Sequence, residues 1–171
     1  MIVAFDTYYS ANSAKTVGIG FHNWMDNEIA VIKSEIIEGV AEYESGKFYK
    51  RELPCILSLL NKFEIGRIKT IIVDGYTTID NKGENGLGGY LYDSLKRKIP
   101  VVGIAKNRYK LNSMNAKEIL RGNSSKPLFI STLGIDLDLV AEKVKSMHGD
   151  FRIPTILKML DLQTKEKVDN K

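Results

Sequence analysis

The sequence is poor in the residues on which several classes of chemistry depend. Cys55 is the only cysteine in 171 residues, which excludes an internal disulfide and any thiolate zinc cluster. There are two histidines, His22 and His148, too few to build a multi-histidine zinc site and a poor basis for a Ser-His-Asp relay. His22 falls in a strand-like pattern, and His148, beside Gly149, reads as a helix C-terminal residue. Neither a GxxxxGK[ST] phosphate loop nor a GxGxxG turn occurs. No apolar run approaches the ~18–20 residues that span a bilayer. The opening Met1-Ile2-Val3-Ala4-Phe5-Asp6 lacks the basic segment of a signal peptide. Internal repeats, low-complexity segments and domain linkers are also missing. These absences lead to the expectation of a cytoplasmic protein that does not use a membrane.

What is present is an ordinary globular balance, with 43% hydrophobic and 27% charged residues. The length favours one domain over residues 1–171, with a charged, frayed tail from about residue 164. A formal charge of +4 and a pI near 9.0 are compatible with a polyanionic partner. Solvated helical faces would account for several of the same lysines and arginines.

The most informative stretch runs from Arg67 to Lys106. Ile71-Ile72-Val73 and Val101-Val102 are short, β-branched and bounded by turn formers, with a helix-like segment between them. That is the βαβ pattern of a parallel sheet with both faces covered. The first strand ends in Asp74-Gly75 and the second runs into Lys106. In an open α/β sheet the carboxyl ends of the strands form the crevice that binds ligands. Asp74-Gly75 also suits a plain turn.

Residues 2–6 read as an opening strand that carries Asp6, followed by a turn over 10–15 and further strands over 16–23 and 28–37. Three antiparallel strands followed by α/β units imply a mixed sheet. An acid in an otherwise apolar opening strand is costly to bury unless it is paired or binds metal. Residues 40–46 read as a loop and 48–63 as a helix, with Pro54 expected in its first turn. Glu52 lies near that start, where an acid is favoured by the helix dipole alone. A polar loop over 77–86 leads to a helix over 87–95. There Gly88-Gly89 allow close backbone approach to a ligand or to the sheet. Residues 107–113 look irregular, and 116–120 fit a strand or a short helix equally. A last strand covers 127–131. Asp136 or Asp138 caps a helix to about residue 147, and a final helix covers 154–162.

Three separated acids stand out: Asp6, Glu52 and Asp74. Carboxylates brought together by a mixed sheet suit hard divalent cations, which take oxygen ligands. With their surroundings, these acids resemble the endonuclease V family of the RNase H-like superfamily. Four blocks carry the resemblance and cover most of the chain. They are the Asp6 strand; Tyr43-Glu44-Ser45-Gly46 with Lys50-Arg51-Glu52-Leu53-Pro54; Val73-Asp74-Gly75 with Leu87-Gly88 and the run from Ile99 through Gly103-Ile104-Ala105-Lys106; and Lys126 to Ser131 with Phe151-Arg152-Ile153-Pro154.

The resemblance implies an α/β, RNase H-like mixed sheet flanked by helices. It also implies a metal-dependent endonuclease that hydrolyses a phosphodiester of DNA or RNA 3′ to deoxyinosine or inosine. Asp6, Glu52 and Asp74 would hold Mg²⁺ or Mn²⁺, and Lys106 would stand near the scissile phosphate. Tyr43 falls at the family's aromatic wedge, and Gly46, Gly75, Leu87 and Gly88 fall around the pocket for the flipped base. The chain departs from the family at two histidine positions: Asp80 replaces one, as an added ligand or base, and Leu133-Gly134 replaces the segment holding the other. The wedge loop carries Glu44-Ser45 in place of Ile-Pro. A divergent, monomeric nuclease is the leading expectation. The alternative is a nucleic-acid-binding protein of the same fold that no longer cuts.

Overall fold

In a computed structural model, residues 1–10, 13–39, 48–109 and 114–166 are described. Their strands form one seven-stranded sheet in the order β3-β2-β1-β4-β5-β7-β6. The strands are β1 (Ile2–Tyr9), β2 (Ser13–Phe21), β3 (Val31–Glu38), β4 (Thr70–Asp74), β5 (Val101–Ala105), β6 (Lys117–Ile119) and β7 (Leu128–Leu133). The centre, β1-β4-β5, is parallel, and the flanking pairs are antiparallel. The mixed α/β sheet is therefore as the sequence pattern implies, and residues 116–120 resolve into the short edge strand β6.

The helices α1 (Tyr49–Leu60), α2 (Leu87–Ser94), α3 (Leu137–Ser146) and α4 (Thr155–Lys165) cover both faces. Alternation along the strands splits the core accordingly. Val3, Phe5, Ile71, Val73 and Val101 pack against Ile56, Leu59 and Leu60 of α1 and Leu87 and Leu91 of α2. Ile2, Ala4, Ile72, Val102 and Ile104 belong to the opposite cluster, with Val140, Ala141 and Val144 of α3 and Ile156 and Leu160 of α4.

Several boundaries differ from the sequence reading. β2 begins at Ser13, because its register continues to Tyr9↔Ala14 and Ser13↔Glu38. β3 begins at Val31 and not at residue 28, since Gly20↔Val31 is its outermost pair. Pro54 stands at the sixth residue of α1, one turn further in than expected; it lacks the N–H that would reach back to the preceding turn. Asp136 is the α3 cap, its Oδ1 accepting the Leu139 N–H at 2.7 Å. α4 continues to Lys165 because Lys15 Nζ, on β2, donates to the carbonyls of Gln163 at 2.7 Å and Glu166 at 2.9 Å. No helix among the described residues is long and apolar enough to cross a membrane.

Candidate active site

The parallel register of β1 and β4 pairs Phe5 with Val73. The next residue on each strand is an acid, so Asp6, inside β1, and Asp74, the last residue of β4, stand side by side, about 4.8 Å apart along the strand-to-strand direction. By alternation both side chains turn toward the α3 and α4 face. Lys106, two residues beyond Ile104 on β5, turns the same way and reaches Asp74, with Nζ 3.3 Å from Oδ2. Asp6 Oδ2 accepts a hydrogen bond from the buried Thr164 hydroxyl of α4 at 2.7 Å. These residues edge a cleft of about 250 Å³, whose apolar floor includes Ile72, Ile104 and Leu128.

Glu52 approaches from the other face, in the first turn of α1. It is only 2% exposed, and its Oε2 is buried without a hydrogen-bond partner. Burial pushes its carboxyl well above the usual range, and the neighbouring charges of Asp6 and Asp74 push it further. Asp74 is also raised, first by desolvation, with Lys106 opposing the shift and Asp6 adding to it. A buried Glu52 raised by Asp6 and Asp74, beside an Asp74 itself raised by Asp6, calls for a proton or a cation among the carboxylates.

The loop that follows Asp74 is shaped by close packing. Gly75 adopts φ +109°, a conformation that favours glycine. The Thr77 N–H then donates to Ser131 Oγ at 2.9 Å. A Cβ on Gly103 would stand 2.6 Å from the Gly75 carbonyl and 2.7 Å from Ser131 Oγ, so only glycine leaves room there.

Asp161 was not singled out by the sequence reading, yet it lines the cleft from α4. Against partial burial, hydrogen bonds from Lys165 at 2.6 Å and Lys158 at 3.5 Å hold its carboxyl below the usual carboxylate range. Its electrostatic effect reaches Asp74. In sequence Asp161 resembles any acid paired with lysines three and four residues away on a solvated helix, so no local signal marks it.

Other expected site residues lie elsewhere. Asp80 does not line the cleft; its Oδ1 accepts the backbone N–H groups of Lys82 at 3.0 Å and Glu84 at 2.8 Å, closing the 80–84 turn. Leu87 is a core residue of the α1 and α2 face. Gly88 is buried against Thr77, where a Cβ would meet the Thr77 Cγ2 at 2.9 Å. The glycines of α2 thus serve helix-to-loop packing, one of the roles read from the sequence. Tyr43 and Gly46 lie outside the described residues. His22 and His148 are exposed and do not line the cleft.

The donor set suits a hard divalent cation: carboxylate oxygens, one of them buried and unsatisfied. Among the described residues, however, no three His, Cys, Asp or Glu groups already stand in a metal-ligating cluster. Lys106 on Asp74 and Thr164 on Asp6 hold two of the acids in the meantime.

A mixed α/β sheet with acids side by side on adjacent parallel strands defines the architectural class. No protein-family model and no curated protein sequence matches the chain. Solved structures do. The Ciona intestinalis endonuclease V, in complex with a 24mer DNA containing an inosine followed by a ribo-adenosine, superposes with a TM-score of 0.78 at 18% identity. That match covers 96% of this chain and 84% of the Ciona chain. Human endonuclease V superposes with a TM-score of 0.71 at 22% identity, over 96% of this chain and 82% of that one. The Streptomyces avermitilis endonuclease V gives 0.73 at 18% identity, over 96% and 79%. The chain therefore has the endonuclease V fold, as the four sequence blocks imply.

Proposed function

We propose that this chain is a divergent metal-dependent endonuclease that hydrolyses a phosphodiester of DNA or RNA. The observation that carries this reading is the buried Glu52 carboxyl, its Oε2 without a partner, close enough to Asp6 and Asp74 on adjacent parallel strands to feel both charges. Carboxylates are not gathered in this way for stability, because unpaired buried charge destabilises a fold. A hard cation satisfies all three at once.

Asp6, Glu52 and Asp74 are the residues that would hold Mg²⁺ or Mn²⁺. Bound there, such a cation supplies Lewis acidity toward a phosphodiester and an activated water. Thr164 fixes the orientation of Asp6 by donating to Oδ2, which leaves the other oxygen of that carboxylate for the ligand role. Lys106, half-exposed at the cleft mouth, exchanges its contact with Asp74 for a nonbridging phosphate oxygen and offsets charge that develops during attack. Asp161 and its two lysines border the same cleft and place both charge signs along its α4 wall. Inosine as the preferred lesion is supported by the sequence resemblance and by the inosine-containing DNA bound to the Ciona protein.

A second reading, binding without cleavage, is favoured by one observation: the acids of the described residues are not drawn into a ready metal-ligating cluster. End-labelled oligonucleotides, with and without inosine, incubated in Mg²⁺ or Mn²⁺ separate the two. Cleavage by the native chain that is lost in Asp74→Asn supports the nuclease. Salt-sensitive binding without cleavage in either metal supports the second reading.

A further inference from the structure

A second cluster of unsatisfied polar atoms lies beside the acids, on the α1 face of the sheet. The Tyr9 hydroxyl and Arg51 Nε are both buried without a hydrogen-bond partner. The Arg51 guanidinium carbon lies 3.9 Å from the centroid of the Tyr9 ring. Arg51 immediately precedes Glu52 in the opening turns of α1, and Tyr9 ends β1 three residues after Asp6. Tyr9 also feels the Glu52 and Asp6 carboxylates electrostatically.

We infer that Tyr9 and Arg51 form a phosphate-binding subsite for the nucleic-acid backbone, adjacent to the proposed metal site. The inference rests on the nuclease reading above and adds to it a contact one phosphate removed from the reacting one. The physical case has three parts. Unmade hydrogen bonds at buried donors are costly, and these two donors are left unmade in the free protein. Stacking on the Tyr9 ring holds the guanidinium plane, so that little is lost when its fork closes on phosphate oxygens. Arg51 has no acid partner among the described residues, whereas Lys106, Lys158 and Lys165 each have one.

Tyr9 is suited to a donor role rather than an ionised one. Burial and the Glu52 charge raise its pKa far above the physiological range, despite the opposing charge of Arg51. The hydroxyl therefore carries a proton to donate throughout the working pH range. A phosphodiester oxygen accepts that proton and the guanidinium N–H groups together, whereas a neutral ligand would leave the arginine charge without a counterion.

The test is fluorescence anisotropy of a labelled single-stranded oligonucleotide, titrated over a range of salt with Ca²⁺ present to prevent turnover. Neutralising one phosphate contact changes the slope of log K against log salt by roughly 0.7 on single strands. Arg51→Gln is expected to lower the slope by about that amount. Arg67→Gln, in the turn Ile65–Arg67 that precedes the opposite end of β4, is expected to leave it unchanged. Tyr9→Phe keeps the ring and is expected to weaken binding severalfold without altering the slope. Should Arg51→Gln melt early, Arg51→Lys retains the charge but not the fork, and weaker binding at an unchanged slope is expected.

An unchanged slope in folded Arg51→Gln overturns the inference while leaving the nuclease reading intact. So does native affinity in both Tyr9→Phe and Arg51→Lys. Failure of the unsubstituted chain to bind oligonucleotide at low salt overturns both.

Discussion

Glu52→Gln should make the metal-free protein more stable at neutral and alkaline pH, although it alters a residue proposed to be functional. Glu52 is 2% exposed with an unpartnered oxygen, and its carboxyl is raised well above the usual range by burial and by Asp6 and Asp74. The sign follows from linkage. Below the unfolded carboxyl value of about 4.3 both states hold the proton, and the group contributes no pH dependence. As pH rises above that value the unfolded chain releases the proton while the folded chain keeps it. Unfolding is then favoured by about 1.4 kcal/mol per pH unit, until the folded value is passed and the loss levels off.

For a chain of this size about 1 kcal/mol moves the melting temperature by roughly 2–4 °C. Melting in EDTA, followed by circular dichroism from pH 4 to pH 9, should give a Glu52→Gln minus native difference near or below zero at pH 4. That difference should climb by roughly 3–5 °C per pH unit until it levels off. Mg²⁺ or Mn²⁺ at about 100 times Kd should then restore roughly 2.7 kcal/mol to the native protein, and far less to the variant. A variant uniformly less stable than the native chain across this range would refute the reasoning, because Glu52 would then be a satisfied structural acid.

Thr164→Val removes the donor to Asp6 Oδ2 and should weaken Mn²⁺ binding about tenfold, the lower end for groups that orient ligands; Thr164→Ser should retain it by calorimetry. Lys106→Met should lower the cleavage rate by about 10²-fold. It should also move the acidic limb of the pH–rate profile upward, since Lys106 opposes the rise of the Asp74 pKa. Gly103→Ala places a methyl 2.6 Å from the Gly75 carbonyl. About 1–3 kcal/mol of stability should be lost by denaturant titration, together with activity, because the loop after Asp74 must shift.

The parts of the fold set by local pattern were legible in the sequence. Ile71-Ile72-Val73 and Val101-Val102 are apolar on both faces because the parallel centre of the sheet is covered on both sides. Asp6 and Asp74 are adjacent because Phe5 pairs with Val73 in parallel register, although β1 runs on to Tyr9 and does not end at Asp6 as its sequence pattern implies. What escaped depends on distant partners. The end of α4 is set by Lys15, about 150 residues away in the chain, and read as a frayed tail. Thr164 and Asp161 therefore attracted no attention, although one holds Asp6 and the other lines the cleft. Asp80 closes a turn and Gly88 packs on Thr77, contacts that local composition does not distinguish from ligand-binding ones.

The measurement that bears most directly on the proposed activity is cleavage of an end-labelled, inosine-containing strand by the native chain and by Asp74→Asn, each in Mg²⁺, Mn²⁺ and EDTA. The expected result is a single cut on the 3′ side of inosine by the native protein in either metal, with none in EDTA and none by the variant. Equal cleavage by a folded Asp74→Asn protein, or no cleavage by the native chain in any condition, would contradict it.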